Sequence, residues 1–145
     1  MTSKYLLFPS ILLFVSSLVQ AAPQYGTATV SKVISVYDGD TFRVNIDSLP
    51  PIVGKNIAIR VNGVDTPEIR GKCPYEKNLA LKARDFVRAK LSNAKDIKLT
   101  NLQRGKYFRV VANVVVDGVS LERELLDNGL AYEYSGGKKL SWCTK

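Results

Sequence analysis

Two stretches of strict alternation constrain this chain more than any other feature. Phe42, Val44 and Ile46 alternate with Arg43, Asn45 and Asp47, and Ile57, Ile59 and Val61 alternate with Ala58, Arg60 and Asn62. A period of two marks a β-strand with one buried face, because successive side chains leave the pleat on opposite sides. Residues 29–37 are rich in Val and Ile, and Asp38-Gly39 between this run and 41–47 reads as a hairpin turn. Residues 48–55, with Pro50-Pro51, read as a loop, residues 96–101 and 106–116 as fourth and fifth strands, and Asp117-Gly118 as another turn.

Helical spacing replaces alternation in two places. Leu79, Ala83, Phe86, Val87, Lys90 and Leu91 share one face of a helix expected from Tyr75 to Asn93. Ser120 can cap a short helix over 121–127, with Glu122 and Glu124 in its first turn and Gly129 as its stop. The expected class is mainly β with helices: a small closed five-stranded barrel with two to three helices packed on it. The element order equally allows an open α+β sheet.

Ahead of this domain, Lys4 is the only charge before Lys32. The apolar run from Tyr5 to Val15 is followed by small residues, and Val19-x-Ala21 suits cleavage after Ala21. Residues 1–21 therefore read as a secretory signal peptide and 22–145 as a single domain without repeats or linkers. The competing reading is a membrane anchor, but the apolar stretch falls short of the roughly 20 residues a spanning helix needs, and Pro9 interrupts it. An exported chain, periplasmic or secreted and with no stable membrane insertion after cleavage, is expected. In an oxidising compartment Cys73 and Cys143 would form one disulfide; the other reading is two unpaired buried thiols.

The chain has no His, which excludes a Ser-His-Asp triad, His-ligated zinc and facial-triad iron. Hydrolytic chemistry must come from carboxylates, cations, hydroxyls or a metal with oxygen ligands. Residues 22–145 keep 20 of the 21 Lys and Arg and all 13 Asp and Glu, a net charge of +7 that favours a polyanionic partner. Three clusters carry candidate chemistry: Asp38-Gly39-Asp40-Thr41, Arg60 leading to Asp65-Thr66-Pro67-Glu68, and Lys106-Tyr107-Phe108-Arg109. Singly, each is explained by a turn, a helix start or a solvated strand residue. Together, Asp40 and Asp65 suit a hard cation, and Glu68 has the reach to orient or deprotonate a water. Arg60 and Arg109 offer planar forks for a phosphate, and Tyr107 can stack on a base or bond a phosphate.

With these motifs in this order and spacing, about residues 30–134 resemble the thermonuclease family, the secreted staphylococcal-nuclease-like phosphodiesterases. The resemblance implies a five-stranded OB-fold barrel and calcium-dependent hydrolysis of DNA and RNA at the 5′-oxygen, leaving a 3′-phosphate. It implies Asp40, Asp65 and the Thr66 carbonyl as Ca²⁺ ligands, with Asp38 a more peripheral acid. It also implies Glu68 as the acid proposed for general base, Arg60 and Arg109 as phosphate-binding catalytic residues, and Lys106 and Tyr107 near the terminal phosphate of a bound nucleotide. Phe108 departs from the small residue common between Tyr and Arg, and Leu79-Ala80-Leu81-Lys82-Ala83 replaces the prototype's Tyr-Gly-x-Glu-Ala. Tyr132 or Tyr134 could take the place of a second base-stacking tyrosine. The Cys73–Cys143 pair resembles a variant of exported homologues.

The expected partners are DNA and RNA, single-stranded or unstructured regions preferred, and the expected state is a monomer. Two other classes remain. A noncatalytic OB-fold nucleic-acid-binding module would use a basic groove and stacking, but does not need the carboxylates and arginines together. An exported interaction protein with a basic surface leaves the same constellation unexplained.

Overall fold

The computed structural model describes residues 25–143. The expected signal peptide and its cleavage point lie outside these residues. In chain order the elements are β1 (Ala28–Thr29), β2 (Lys32–Val36), β3 (Thr41–Asn45), α1 (Pro51–Gly54), β4 (Ile57–Val61) and β5 (Val64–Asp65). They continue with α2 (Pro74–Asn93), β6 (Ile97–Arg104), β7 (Val110–Val116), β8 (Val119–Ser120), α3 (Leu121–Asp127) and β9 (Tyr132–Glu133).

One bent strand closes the barrel. β1 pairs antiparallel with β6, while β2, two residues further on, pairs antiparallel with β3. At the bend, Val30 N donates to Ile97 O (2.9 Å) and Ser31 N to Asn45 O (2.9 Å), so the strand bonds to both edges of the sheet. The path β6-β7-β4-β3 completes the circuit, with β4 and β7 parallel. The bent strand β1–β2 with β3, β4, β6 and β7 makes the five-stranded OB-fold barrel, with three helices outside it.

The alternation read from the sequence faces the core. Phe42 and Val44 of β3 and Ile57, Ile59 and Val61 of β4 are buried against Leu99, Ala112 and Val114. The α2 helix closes one side with Ala80, Ala83, Val87 and Leu91; Lys90, expected on that face, instead pairs with Glu124 of α3. α3 lies where expected. Ser120 Oγ accepts from Arg123 N (3.2 Å), and Gly129 (φ 64°) ends the helix with Leu130 N donating to Leu125 O (2.9 Å).

The fifth strand begins at Val110 rather than at 106. Tyr107 (φ 55°) and Phe108 (φ 62°) adopt left-handed backbone, which a strand cannot continue, so Lys106–Arg109 form a hairpin loop instead of opening the strand. β6 runs to Arg104, past the expected 101, across an irregularity at Asn101 (φ 51°). The loop at 48–55 contains a short helix opened by Pro51 at its first position. The β5–β9 ladder, Val64 opposite Glu133 and Asp65 opposite Tyr132, has no counterpart in the expected strands. Among the described residues, no helix is long and apolar enough to cross a membrane.

Cys73 and Cys143 are bonded, with their Cα atoms 5.9 Å apart across 70 residues of sequence. The bridge ties the start of α2 to the tail after β9, where Trp142 stacks on Tyr132 at 3.8 Å. Closing a loop of this length stabilises by about 4 kcal/mol in the chain-entropy view. Cys143→Ser should therefore lower the unfolding free energy by about 2–4 kcal/mol, read from urea denaturation. An unchanged midpoint would mean that Trp142 packing alone holds the tail.

Candidate active site

The two halves of the site meet through strand register. Thr41 lies opposite Arg60 in the β3–β4 ladder, and Val61 N donates to Asp40 O at 2.8 Å, so the Asp38–Thr41 turn sits over the end of β4. The parallel β4–β7 register sets Ile59 beside Val110, which brings the Lys106–Arg109 loop to the same end of the barrel. The result is an open cleft of about 500 Å³, lined by Asp38, Asp40, Arg60, Glu68, Lys106 and Arg109. Asp65 and Thr66 are buried beside it.

The Asp38–Thr41 turn differs from an ordinary Asp-Gly hairpin turn. Asp117 (φ 49°) and Gly118 (φ 84°) both take the left-handed backbone that a two-residue turn requires; neither Asp38 nor Gly39 has a positive φ. Gly39 is instead required by close packing. A Cβ there would stand 2.8 Å from Ala83 Cβ and 2.9 Å from Thr66 Cγ2. Gly39 thus lets the turn seat against α2 and against the segment that carries Asp65 and Thr66.

Arg60 balances the buried acids. Its Nη1 lies 2.5 Å from Asp40 Oδ1 and its Nη2 3.6 Å from Asp65 Oδ1, and Nη2 also donates to Val64 O at 3.1 Å. Asp40 further accepts from Thr66 N (3.2 Å) and from Thr41 Oγ1 (2.9 Å). Burial works against the Arg60 charge, but the Asp40 carboxylate outweighs it and holds the guanidinium above its ordinary pKa. Burial, with the nearby Asp40 charge adding to it, pushes Asp38 up to about 7. Burial also raises Asp65, against the opposing pull of Lys139.

Lys139, which carried no signal in the sequence, reaches in from the tail. Its Nζ is 2.7 Å from Asp65 Oδ1 and 2.8 Å from Glu68 Oε1. Desolvation disfavours its charge, yet hydrogen bonding to these two acids more than compensates and raises its pKa. Glu76 is the second unforeseen residue. Its buried carboxylate accepts from Lys72 N (2.8 Å) and Glu68 N (3.4 Å) and so shapes the loop that carries Glu68. The sequence held a signal for it, an acid three residues into a helix beginning after Cys73, where a carboxylate reaches back to free N–H groups. Tyr134 also joins the cleft, with Arg60 Cζ 5.9 Å from its ring centre.

Tyr107 stands apart from the other expected residues. It is 88% exposed, does not line the cleft, and rests near Arg109, whose Cζ lies 5.8 Å from its ring centre. Phe108, 67% exposed, lies beneath the Arg104 guanidinium at 4.9 Å.

The donor set fits a hard cation. Thr66 Oγ1 is buried without a hydrogen-bond partner, and the buried Asp65 Oδ1 is met by the cationic groups of Lys139 and Arg60. Such oxygens, beside Asp40, suit a spherical ion that makes no angular demand. Cys73, Glu76 and Cys143 also cluster, but the two sulfurs are bonded to each other and offer no thiolate.

The sequence profile of the family described as staphylococcal nuclease homologue matches residues 58–141, more than half of the chain. The chain belongs to the staphylococcal nuclease family. It is 33% identical over 102 residues to the thermonuclease of Staphylococcus hyicus, a match covering 69% of this chain and 56% of that relative. It thus spans little more than half the length of this curated relative. As a staphylococcal nuclease homologue it carries the family match across Arg60, Asp65, Thr66, Glu68 and Arg109, while the Asp38–Thr41 turn lies ahead of the matched residues.

The Gly39 packing gives a direct test of how the site is assembled. Gly39→Ala should destabilise the protein by about 1–3 kcal/mol through overpacking against Ala83 and Thr66, seen as a lower melting temperature. A melting temperature equal to wild type would show that the turn can back away without loss.

Proposed function

We propose that this chain is an exported, calcium-dependent nuclease that hydrolyses phosphodiester bonds of DNA and RNA by attack of water, leaving 3′-phosphate products. One observation carries the reading: two guanidinium groups, Arg60 and Arg109, share a single open cleft with Asp40 and Glu68. Permanent cations can grip a phosphate on both sides, and the acids beside them would repel it unless a cation intervened. A pure binding module has no use for that combination. Family membership and the thermonuclease relative support the same activity.

Asp40, Asp65 and Thr66 would hold the calcium ion. When bound, it would supply Lewis-acid stabilisation of charge growing on the phosphoryl oxygens. The other roles belong to this chain's own groups. Arg60, already oriented by Asp40, and Arg109, from the hairpin loop, bind the phosphate and favour the transition state over the ground state. Glu68, on the cleft and open to solvent on one side, orients the attacking water or takes its proton. Lys106 lines the cleft, while Tyr107, outside it, can stack on a base of a bound strand. A guanidinium is a poor acid at neutral pH, so a water can serve as well as an arginine as proton donor to the leaving oxygen.

Three features support export: the apolar start of the chain, the small residues before Ala21, and the Cys73–Cys143 bridge, which suits an oxidising compartment. A net charge of +7 on residues 22–145 would make substrate binding weaken with salt.

The test is cleavage of single-stranded DNA and RNA in calcium, magnesium or EDTA. Calcium should support cleavage and EDTA abolish it, while Arg60→Ala should lower kcat by about 10²–10³-fold. Glu68→Gln should reduce kcat far more than it changes KM. Binding without cleavage in every metal would replace this reading with that of a noncatalytic nucleic-acid-binding module.

A further inference from the structure

Lys139 stands between two carboxylates of the site, one of them the Asp65 assigned to the metal. Its ammonium touches Asp65 Oδ1 and Glu68 Oε1, at 2.7 Å and 2.8 Å. The segment that delivers it is fastened on both sides. Ahead of it, β9 pairs with β5 through Asp65 and Tyr132, and Tyr134 N donates to Gly63 O at 2.8 Å. Beyond it, Trp142 stacks on Tyr132 and Cys143 is bonded to Cys73. Between these anchors, Gly136 (φ 106°) and Gly137 (φ 83°) turn the chain in backbone open to glycine, and Tyr134 Oη donates to Gly137 O at 3.0 Å. A Lys this far along the sequence would otherwise have no reason to meet Asp65.

We propose that Lys139 is the resident counter-cation of the acidic site: it neutralises Asp65 and Glu68 when no metal is bound, and a divalent ion must displace it from Asp65 to bind. The inference rests on the reading of Asp65 as a metal ligand. A divalent ion bound at Asp65 Oδ1 would lie in contact with the Lys139 ammonium and be strongly repelled by it. The contact at Asp65 Oδ1 is a charge pair at 2.7 Å, so a divalent ion can take the ammonium's place there. Lys139 is 43% exposed on a flexible four-carbon stem, and its strongly hydrated head has a path back to water. Its presence therefore weakens metal binding, and the bridged tail sets by how much.

Calorimetric titration of purified wild-type, Lys139→Gln and Lys139→Arg proteins with Ca²⁺ tests this, paired with melting curves in EDTA and in saturating calcium. Lys139→Gln should bind calcium about tenfold more tightly, a gain kept modest because the ion pair is partly solvent-screened. Lys139→Arg, which keeps the charge, should stay near wild type. In EDTA the Gln variant should melt below wild type, because Asp65 loses its partner; in saturating calcium the two should converge. Equal or weaker calcium affinity in Lys139→Gln would overturn the proposal. If wild type still cleaves in calcium in that case, the nuclease reading survives alone. Absence of calcium binding by both wild type and Lys139→Gln would overturn this proposal and the metal assignment together.

Discussion

Three aspartates and a glutamate crowd one end of this barrel, and the repulsion between them is the constraint the rest of the site answers. Asp38, Asp40 and Asp65 are buried, where water can do little to separate like charges. Arg60 stands against Asp40 and Asp65, Lys139 against Asp65 and Glu68, and Asp40 takes hydrogen bonds from Thr41 and Thr66. Even so, Asp38 is left with its affinity for a proton raised to about 7, chiefly by burial. Arg60 and Lys139, with Lys106 and Arg109 on the same cleft, set four cations against these four acids.

The barrel supplies the rigidity that such a cluster needs. Because β1–β2 bonds to both edges of the sheet, β3, β4 and β7 cannot slide relative to one another without breaking the circuit. Asp40, Arg60 and Arg109 each lie at or next to the end of one of these strands. Glu68 and Lys139 are held differently, by a loop and a tail. Both depend on one corner of the molecule, where the buried Glu76 carboxylate bonds the 68–72 loop, with one oxygen 3.5 Å from the Cys143 sulfur of the Cys73 bridge. The disulfide thus lies next to the support of the proposed base and four residues from Lys139.

Much of the fold was legible because it was written in local periodicity. The alternation at Phe42–Asp47 and Ile57–Asn62, the helical face from Leu79 to Leu91 and the Ser120 cap each specify their own element. Short-range chemistry also explains where the reading failed. Left-handed backbone at Tyr107 and Phe108 is not encoded by aromatic residues, which ordinarily favour strands, so the fifth strand starts at Val110, four residues after the position the sequence implies. The two-residue strands β5 and β9 are too short for any period to register, and only their pairing defines them.

What the sequence alone determined is the inventory: strands with one buried face, two helices of which Ser120 caps one, a chain without histidine, and the ordered motifs around Asp40, Arg60, Asp65, Glu68 and Arg109. These are properties of neighbouring residues, and neighbouring residues are what a sequence displays. The tertiary structure alone decided that Gly39 serves packing rather than turn geometry, that Tyr107 stands outside the cleft, and that Lys139 sits between Asp65 and Glu68. Each of these depends on a contact between segments brought together by strand register or by the disulfide, and in the sequence Lys139 is 71 residues from Glu68. Closing the barrel and bridging the tail convert that distance into a single ion pair.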